Sequence, residues 1–295
     1  MMNILGRFAL FAWLLLIGQN TMAADKIRVL LVDGQNNHNW RATSPIIKKS
    51  LESTGKFTVD VTSNLSAKEK DKPGSITPTL PFPVGLENYD VVVSNYNGAS
   101  WPKSFNDDLE SRLKEGKIGL VIVHAANNAF GGWKEWNQMI GMGWRDKGFG
   151  ARVKVDDSGK SEIIEKGKGD STGHRYVGEF TVIVRDGEHP VTKGMPKEWA
   201  HPRDELYDNL RGPAENLNIL ATSYSPGTKT HEPMIFTISY GKGRVFHTPL
   251  GHDSGAMNCA GFQTTVERGT EWAATGKVTQ DLPKDFPGEK ASIRK

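Results

Sequence analysis

Three histidines stand directly after segments that read as strand ends, each with amide, carboxylate or aromatic neighbours. His38 sits in Asp33-Gly34-Gln35-Asn36-Asn37-His38-Asn39-Trp40, His124 opens His124-Ala125-Ala126-Asn127-Asn128, and His252 lies in Gly251-His252-Asp253. Eight histidines scattered at random would not favour those three places. In open α/β sheets, ligands bind outside the carboxyl ends of the strands, where the strand order reverses. Neutral imidazole nitrogens joined by a carboxylate suit zinc and similar divalent ions. His38, His124 and His252 are therefore candidate ligands of a divalent metal. Such an ion polarises a carbonyl or hydroxyl, or brings the pKa of bound water toward neutrality. His124 is the sharpest of the three, because small residues after it let the backbone turn tightly. The alternative for each is a structural histidine held by local hydrogen bonds.

Further candidates come from Pro202-Arg203-Asp204-Glu205-Leu206-Tyr207. Glu205 could complete a histidine and carboxylate set, or the segment could be a solvated turn. Glu205 or Asp253 would then act as general base or orient a histidine. The chain has no H-x-x-x-H pair, so the ligands must converge from distant positions. His247 reads as strand surface. His174, His189, His201 and His231 fall in apparent turns, with His201 and His231 the better placed to line a cleft. A G-x-S-x-G elbow, a Walker loop and a glycine fingerprint after the first strand are all missing, which argues against a serine hydrolase and against nucleotide binding.

The elements that must position these groups alternate along the chain. Ile27 to Val32 is a continuous apolar run, as expected of a strand covered on both faces. Ser44-Pro45 reads as an N-cap and first helical proline, with the helix stopping at Gly55. Phe57 to Val61, Asp90 to Ser94 and Gly119 to Val123 read as further strands. Ser104-Phe105-Asn106-Asp107 resembles a capping box before a helical stripe of Phe105, Leu109 and Leu113. This spacing implies right-handed crossovers and a doubly wound, mostly parallel sheet. Ala151 to Gly212 reads as an antiparallel insertion, and Met234 to Tyr240 with Arg244 to Thr248 as a hairpin around Gly241-Lys242-Gly243. A last helix covers about Gly261 to Ala274, and residues 277–295 read as a polar tail.

Met1 to Arg7 is basic, Phe8 to Ile17 apolar, and Thr21-Met22-Ala23-Ala24 ends in small residues. That order is the pattern of a secretory signal, cleaved near Ala23, and the apolar run is too short to span a bilayer. Residues 1–23 are expected to be removed and the remainder to be periplasmic or secreted, with no membrane attachment. The net charge of +3 over 295 residues, without a Lys/Arg cluster, argues against nucleic acid. With Cys259 alone, no internal disulfide forms, so packing must hold the fold. Cys259 follows no buried strand and reads as a packed thiol.

Val29 to Gly34 with His38 and Trp40, the VIVHAA run at Val121 to Ala126, Glu188 to Gly194, Asp204 to Tyr207, and YGKGRVFHTPLGHD at Tyr240 to Asp253 together resemble the ThuA-like, trehalose-utilisation family. The resemblance spans residues 26–276. It implies an α/β fold of flavodoxin-like architecture, similar to class I glutamine amidotransferases. His124 stands where true amidotransferases carry a cysteine, so glutaminase activity is not expected. The sequence departs from the family pattern at His247, where an aromatic is common. It departs again at Gly141-Met142-Gly143-Trp144-Arg145, which replaces a glycine-and-histidine segment.

The family implies catabolism of trehalose or a related keto-glycoside. The leading reading is a metal-assisted hydrolase or isomerase acting on a small sugar. His124, Glu205 and Asp253 would be its catalytic groups, and His38, His124 and His252 would hold the metal, with zinc the first candidate. Trp40, Trp133 and Trp144 would offer flat faces to a sugar ring, and Asn127 and Tyr207 would complete the substrate contacts. A second reading is a sugar-binding or accessory protein without chemistry. A third, an assembly module or homo-oligomer, needs an exposed apolar face, which the last helix would supply.

Overall fold

The computed structural model describes residues 25–70 and 80–294. The expected export segment, residues 1–24, lies outside these residues, as do residues 71–79.

The parallel half of the sheet is built from β1 (Ile27–Asp33), β2 (Phe57–Ser63), β3 (Val91–Ser94), β4 (Gly119–Val123) and the late strand β11 (Gly243–Thr248). Its order is β2-β1-β3-β4-β11, with every neighbouring pair parallel. This is the flavodoxin-like winding, and the order reverses between β1 and β3. Because side chains alternate along a strand, β1 buries Val29 and Leu31 on one face and Leu30 and Val32 on the other. The first face is covered by α1 (Trp40–Ser53) and α6 (Ala260–Thr275), through Ile47, Leu51, Phe262 and Val266. The second is covered by α3 (Lys103–Glu115) and α4 (Lys134–Ile140), through Phe105, Leu109, Leu113, Trp136 and Met139. Coverage on both sides is why these strands read as unbroken apolar runs.

Beyond β11 the same sheet continues antiparallel through β10 (Thr230–Tyr240), β9 (Leu217–Ser225), β7 (Gly173–Val184) and β8 (Glu198–Asp208), with β5 (Arg152–Val155) and β6 (Ser161–Ile164) branching from β10. The sheet is thus mixed, with four antiparallel strands beyond the five parallel ones and two more on the branch. The far strand β8 packs on α5 (Ser254–Met257), which follows β11. The Asp204 carboxylate on β8 accepts backbone hydrogen bonds from Gly251 at 2.8 Å and His252 at 3.0 Å. The far edge therefore meets the carboxyl ends of the parallel strands.

Several local expectations change. α1 begins at Trp40 rather than at Ser44, so Pro45 sits inside the helix. Ser44 is buried and donates no cap; it accepts from Asn95 Nδ2 at 3.0 Å. α3 starts after Pro102 without a side-chain cap, so Ser104 makes no capping box. The last helix offers no exposed apolar face. Nearly all of α6 is buried, including Glu267, Arg268 and Glu271. The 277–294 segment is the reason, because it packs as cover rather than standing free. Phe286 lies 5.6 Å from Trp199, Ser292 accepts from Ala260 N at 2.8 Å, and Arg294 bonds both Gln263 and Glu267. Among the described residues, no helix is long and apolar enough to cross a membrane.

Candidate metal centre

His124 is the residue at which β4 ends and a 3-10 turn, His124–Asn128, begins. Its φ of 46° lies in the left-handed region, unfavourable for a residue with a Cβ by about 1 kcal/mol or more. The kink is held by the imidazole, whose Nδ1–H donates to the Pro249 carbonyl at 2.6 Å. The other nitrogen, Nε2, is then an unprotonated lone pair, and it is buried with no hydrogen-bond partner. Burial is the main cause that pushes this imidazole down to a pKa of about 4, against the opposing pull of the Asp204 carboxylate. At neutral pH His124 is an uncharged donor to whatever enters the site.

The two partners arrive from neighbouring strand ends. His38 follows β1, and both its backbone N–H and its Nδ1 reach Asn36 Oδ1, at 2.9 and 3.3 Å. That contact turns Nε2 toward the centre. His252 follows β11 through Gly251, whose φ of 104° needs glycine, and a Cβ there would lie 2.7 Å from the Phe262 ring. The three rings stand edge to face, with centroids 4.7 to 5.6 Å apart.

Glu205, from β8, closes the group. Its Oε2 lies 3.1 Å from His252 Nδ1 and 3.7 Å from both His38 Nε2 and His124 Nε2, while Oε1 lies 3.8 Å from His174 Nε2. Burial alone would favour the protonated acid. The nearby imidazoles of His38, His252, His124 and His174 outweigh it, so the carboxyl is held below its ordinary range. One donor atom from each of His38, His124, Glu205 and His252 lies within 4.8 Å of the other three. A tetrahedral zinc with bonds of about 2.0 to 2.2 Å separates its ligand atoms by roughly 3.3 to 3.6 Å, so the Glu205 distances bracket that spacing. His252 Nδ1, like His124 Nε2, has no hydrogen-bond partner among the described residues. Two buried imidazole nitrogens without a hydrogen-bond partner, converging beside a carboxylate, fit a divalent cation.

Asp204 is what sequence reasoning passed over in favour of its neighbour. It is buried, and its four hydrogen bonds tie the centre together: Oδ1 accepts from the Glu205 and His252 backbones, Oδ2 from Gly251 N and His201 Nε2. His174 reads from the sequence as a turn residue, yet β7 delivers it to the rim of the group. The paired acids beside Leu206 and Tyr207 mark the segment of β8 that reaches the site, but nothing local says that β7 lies beside it.

Other candidates sit elsewhere. Asp253 does not join the group; its Oδ1 accepts from Ala256 N at 3.0 Å and caps α5. Tyr207 is buried behind the site, its ring 4.3 Å from that of His124. Asn127 is buried as well, donating to His247 Nε2 at 3.2 Å and accepting from Trp144 N at 3.2 Å. His247 is therefore core rather than strand surface, because β4 and β10 flank β11 and helices cover both faces. Its Nδ1–H donates to the Ile140 carbonyl at 2.9 Å, and burial holds its pKa down to about 3. Trp40 is packed inside α1 under Arg41, and Trp133 stacks on Trp136 in an aromatic cluster. Among the described residues neither shows a ring contact with the residues of the centre, whereas the Trp144 ring lies 4.7 Å from Tyr207 and 5.6 Å from His174. His201 is buried against Asp204, and His231 reaches Asp157 at 3.2 Å on β10.

The family described as ThuA, trehalose utilisation, matches residues 28–273. A ThuA-like protein from Parabacteroides merdae of known structure is 41% identical, with a TM-score of 0.81 over 92% of this chain and 98% of that one. A second ThuA-like protein, from Bacteroides uniformis, is 16% identical with a TM-score of 0.55, covering 87% of this chain and 96% of that one. That second likeness is one of fold. No curated protein matches.

Proposed function

Since the chain belongs to the ThuA, trehalose-utilisation family, we propose that it acts on a trehalose-related sugar at a divalent metal held by His38, His124, His252 and Glu205. The observation that carries this reading is the pair of buried imidazole nitrogens, His124 Nε2 and His252 Nδ1, that lack any hydrogen-bond partner while sharing a centre with an ionised carboxylate. When bound, such a cation supplies a Lewis acid for a sugar oxygen or activates water. The chain's own residues do the rest. Glu205 keeps Oε1 beside His174, on the more open side of the group, where an ionised carboxylate can take a proton from water or a hydroxyl. His124, neutral and locked by Pro249, holds its lone pair in place without reorganisation. The reaction class consistent with these parts is hydrolysis or isomerisation of a keto-glycoside.

Elemental analysis of the purified protein is expected to find about one zinc or similar ion per chain. Stripping it with a chelator should lower the melting temperature by several degrees, and adding zinc at a hundredfold excess over Kd should restore roughly 2.7 kcal/mol of stability. If the protein takes up no metal and binds trehalose equally well with and without chelator, the catalytic reading fails and a sugar-binding role replaces it.

Export is proposed on the segment Met1 to Ala24 alone. Intact-mass measurement of the protein from the periplasm or medium should give a chain that begins within a residue or two of Ala24; full-length protein confined to the cytosol would overturn it.

A further inference from the structure

A second recess adjoins the metal group. It has a cavity volume of about 690 Å³ and is lined by Gly131, Trp144, Arg145, Asp146, Phe149 and Thr172, with Gly148 at its edge. Two of its walls belong to the neighbourhood of the centre. Trp144 packs against Tyr207 and His174, the residues behind and beside the imidazoles. Thr172 lies two residues before His174, whose imidazole is 3.8 Å from Glu205. Trp144 and Thr172 therefore join the wall of this recess to the surroundings of the centre.

Its chemistry is specific. Trp144 and Phe149 are flat apolar faces, and Phe149 is among the few large apolar side chains left exposed on the molecule, at 38%. Such exposure of an aromatic beside a concave site marks a ligand surface. The Asp146 side chain makes no hydrogen bond among the described residues and stands free to accept from hydroxyl groups, whereas its main-chain carbonyl is used by Phe149 N at 2.9 Å. The floor is rigid. Arg145 spends its guanidinium on the carbonyls of Asn127, Asn128, Ala129 and Trp144 and on Asn137 Oδ1, at 2.6 to 3.1 Å. This buried fork fixes the Trp144 to Phe149 loop to the turn that carries His124. With the guanidinium buried and turned onto these carbonyls, the recess presents two aromatic faces and the Asp146 carboxylate, a surface that suits a polyhydroxy ligand.

We propose that this recess is the subsite for the second sugar ring of a disaccharide whose first ring lies at the His38, His124, His252 and Glu205 centre, with Phe149 and Trp144 as stacking faces and Asp146 as hydroxyl acceptor. The proposal rests on the functional reading above for the first ring, but its selectivity for two rings over one is independent of any metal.

The test is a calorimetric titration of the full-length protein with trehalose and with glucose, for the wild type, Phe149→Ala and Asp146→Ala. Both positions are exposed loop side chains, so circular dichroism should show the variants folded. The wild type is expected to bind trehalose at least tenfold more tightly than glucose. Each variant should lose most of that difference, by weakening trehalose about tenfold while leaving glucose and zinc binding unchanged. Equal affinities for the two sugars in the wild type, or unchanged trehalose binding in both variants, would overturn the subsite. A wild type that takes up no zinc, but prefers trehalose and loses that preference in the variants, would instead sink the metal reading and leave the subsite standing.

Discussion

Changing His124 to asparagine should abolish high-affinity zinc binding, weakening it at least a hundredfold, while the protein still folds. The choice of asparagine follows from the backbone. At φ 46° residue 124 is left-handed, a region that asparagine tolerates better than other residues with a side chain. A side-chain amide there can also donate toward the Pro249 carbonyl that the imidazole now serves. What it cannot supply is the Nε2 lone pair, which is the deepest of the donors converging on the centre, with the His124 side chain only 2% exposed. Because burial keeps His124 deprotonated down to about pH 4, metal entry displaces no proton from it near neutrality. Zinc affinity measured by competition with a chromogenic chelator reads the effect directly. Wild-type affinity in the folded variant would show that the imidazoles do not form a metal site.

The parallel half of the fold is legible in the sequence, because β1, β3 and β4 are covered on both faces and so appear as uninterrupted apolar runs. The segment after a strand is then marked by position alone, which is how His38 after β1, His124 after β4 and His252 after β11 stand out. The fourth donor is legible only by type: Glu205 lies 81 residues beyond His124, on a strand that reaches the centre through the curl of the antiparallel half. The same curl hides His174. A local reading leaves His174 in a turn, although β7 brings it beside Glu205, which pairs with Val177 in the β7–β8 ladder. His247 illustrates the opposite error. Alternation along β11 suggests an outward face, but α4 closes that face and the Ile140 carbonyl satisfies the ring. The tail misleads for a similar reason: its polarity matches the buried Glu267 and Glu271 of α6, which need partners and find them in Arg294 and Thr279. Long-range pairing of polar groups leaves no periodic trace.

Asp204 should prove the residue on which the centre's geometry depends, and Asp204→Asn the variant that separates positioning from ligation. Its carboxylate accepts four hydrogen bonds, two per oxygen, and two of them come from the backbones of the ligand residues Glu205 and His252. An amide replaces one oxygen by a donor. Either His252 N and Glu205 N, or Gly251 N and His201 Nε2, then face an NH2 group. His201 can answer by shifting its proton to Nδ1, but a backbone N–H cannot. The buried pair with His201 is broken at the same time. Burial works against charge on both groups, yet their mutual hydrogen bond holds Asp204 below its ordinary range and lifts His201 to about 9, helped by Cys259. Removing one partner of a buried pair costs about 3 to 5 kcal/mol, a fall in melting temperature on the order of 10 °C for a chain of this size. The pH dependence carries a sign as well. A histidine raised in the folded state stabilises fully below its unfolded pKa of about 6.5, and that stabilisation is lost as pH climbs through 9. Wild-type stability should therefore decline between pH 6.5 and 9 in a way that Asp204→Asn does not, since His201 without its carboxylate is neutral throughout. Chemical denaturation across that range, with zinc affinity of the folded fraction measured beside it, decides the matter. Parallel pH profiles for the two proteins would mean that the His201–Asp204 pair is not ionised. Undiminished zinc affinity in a destabilised variant would mean that Asp204 supports the fold without setting the ligands.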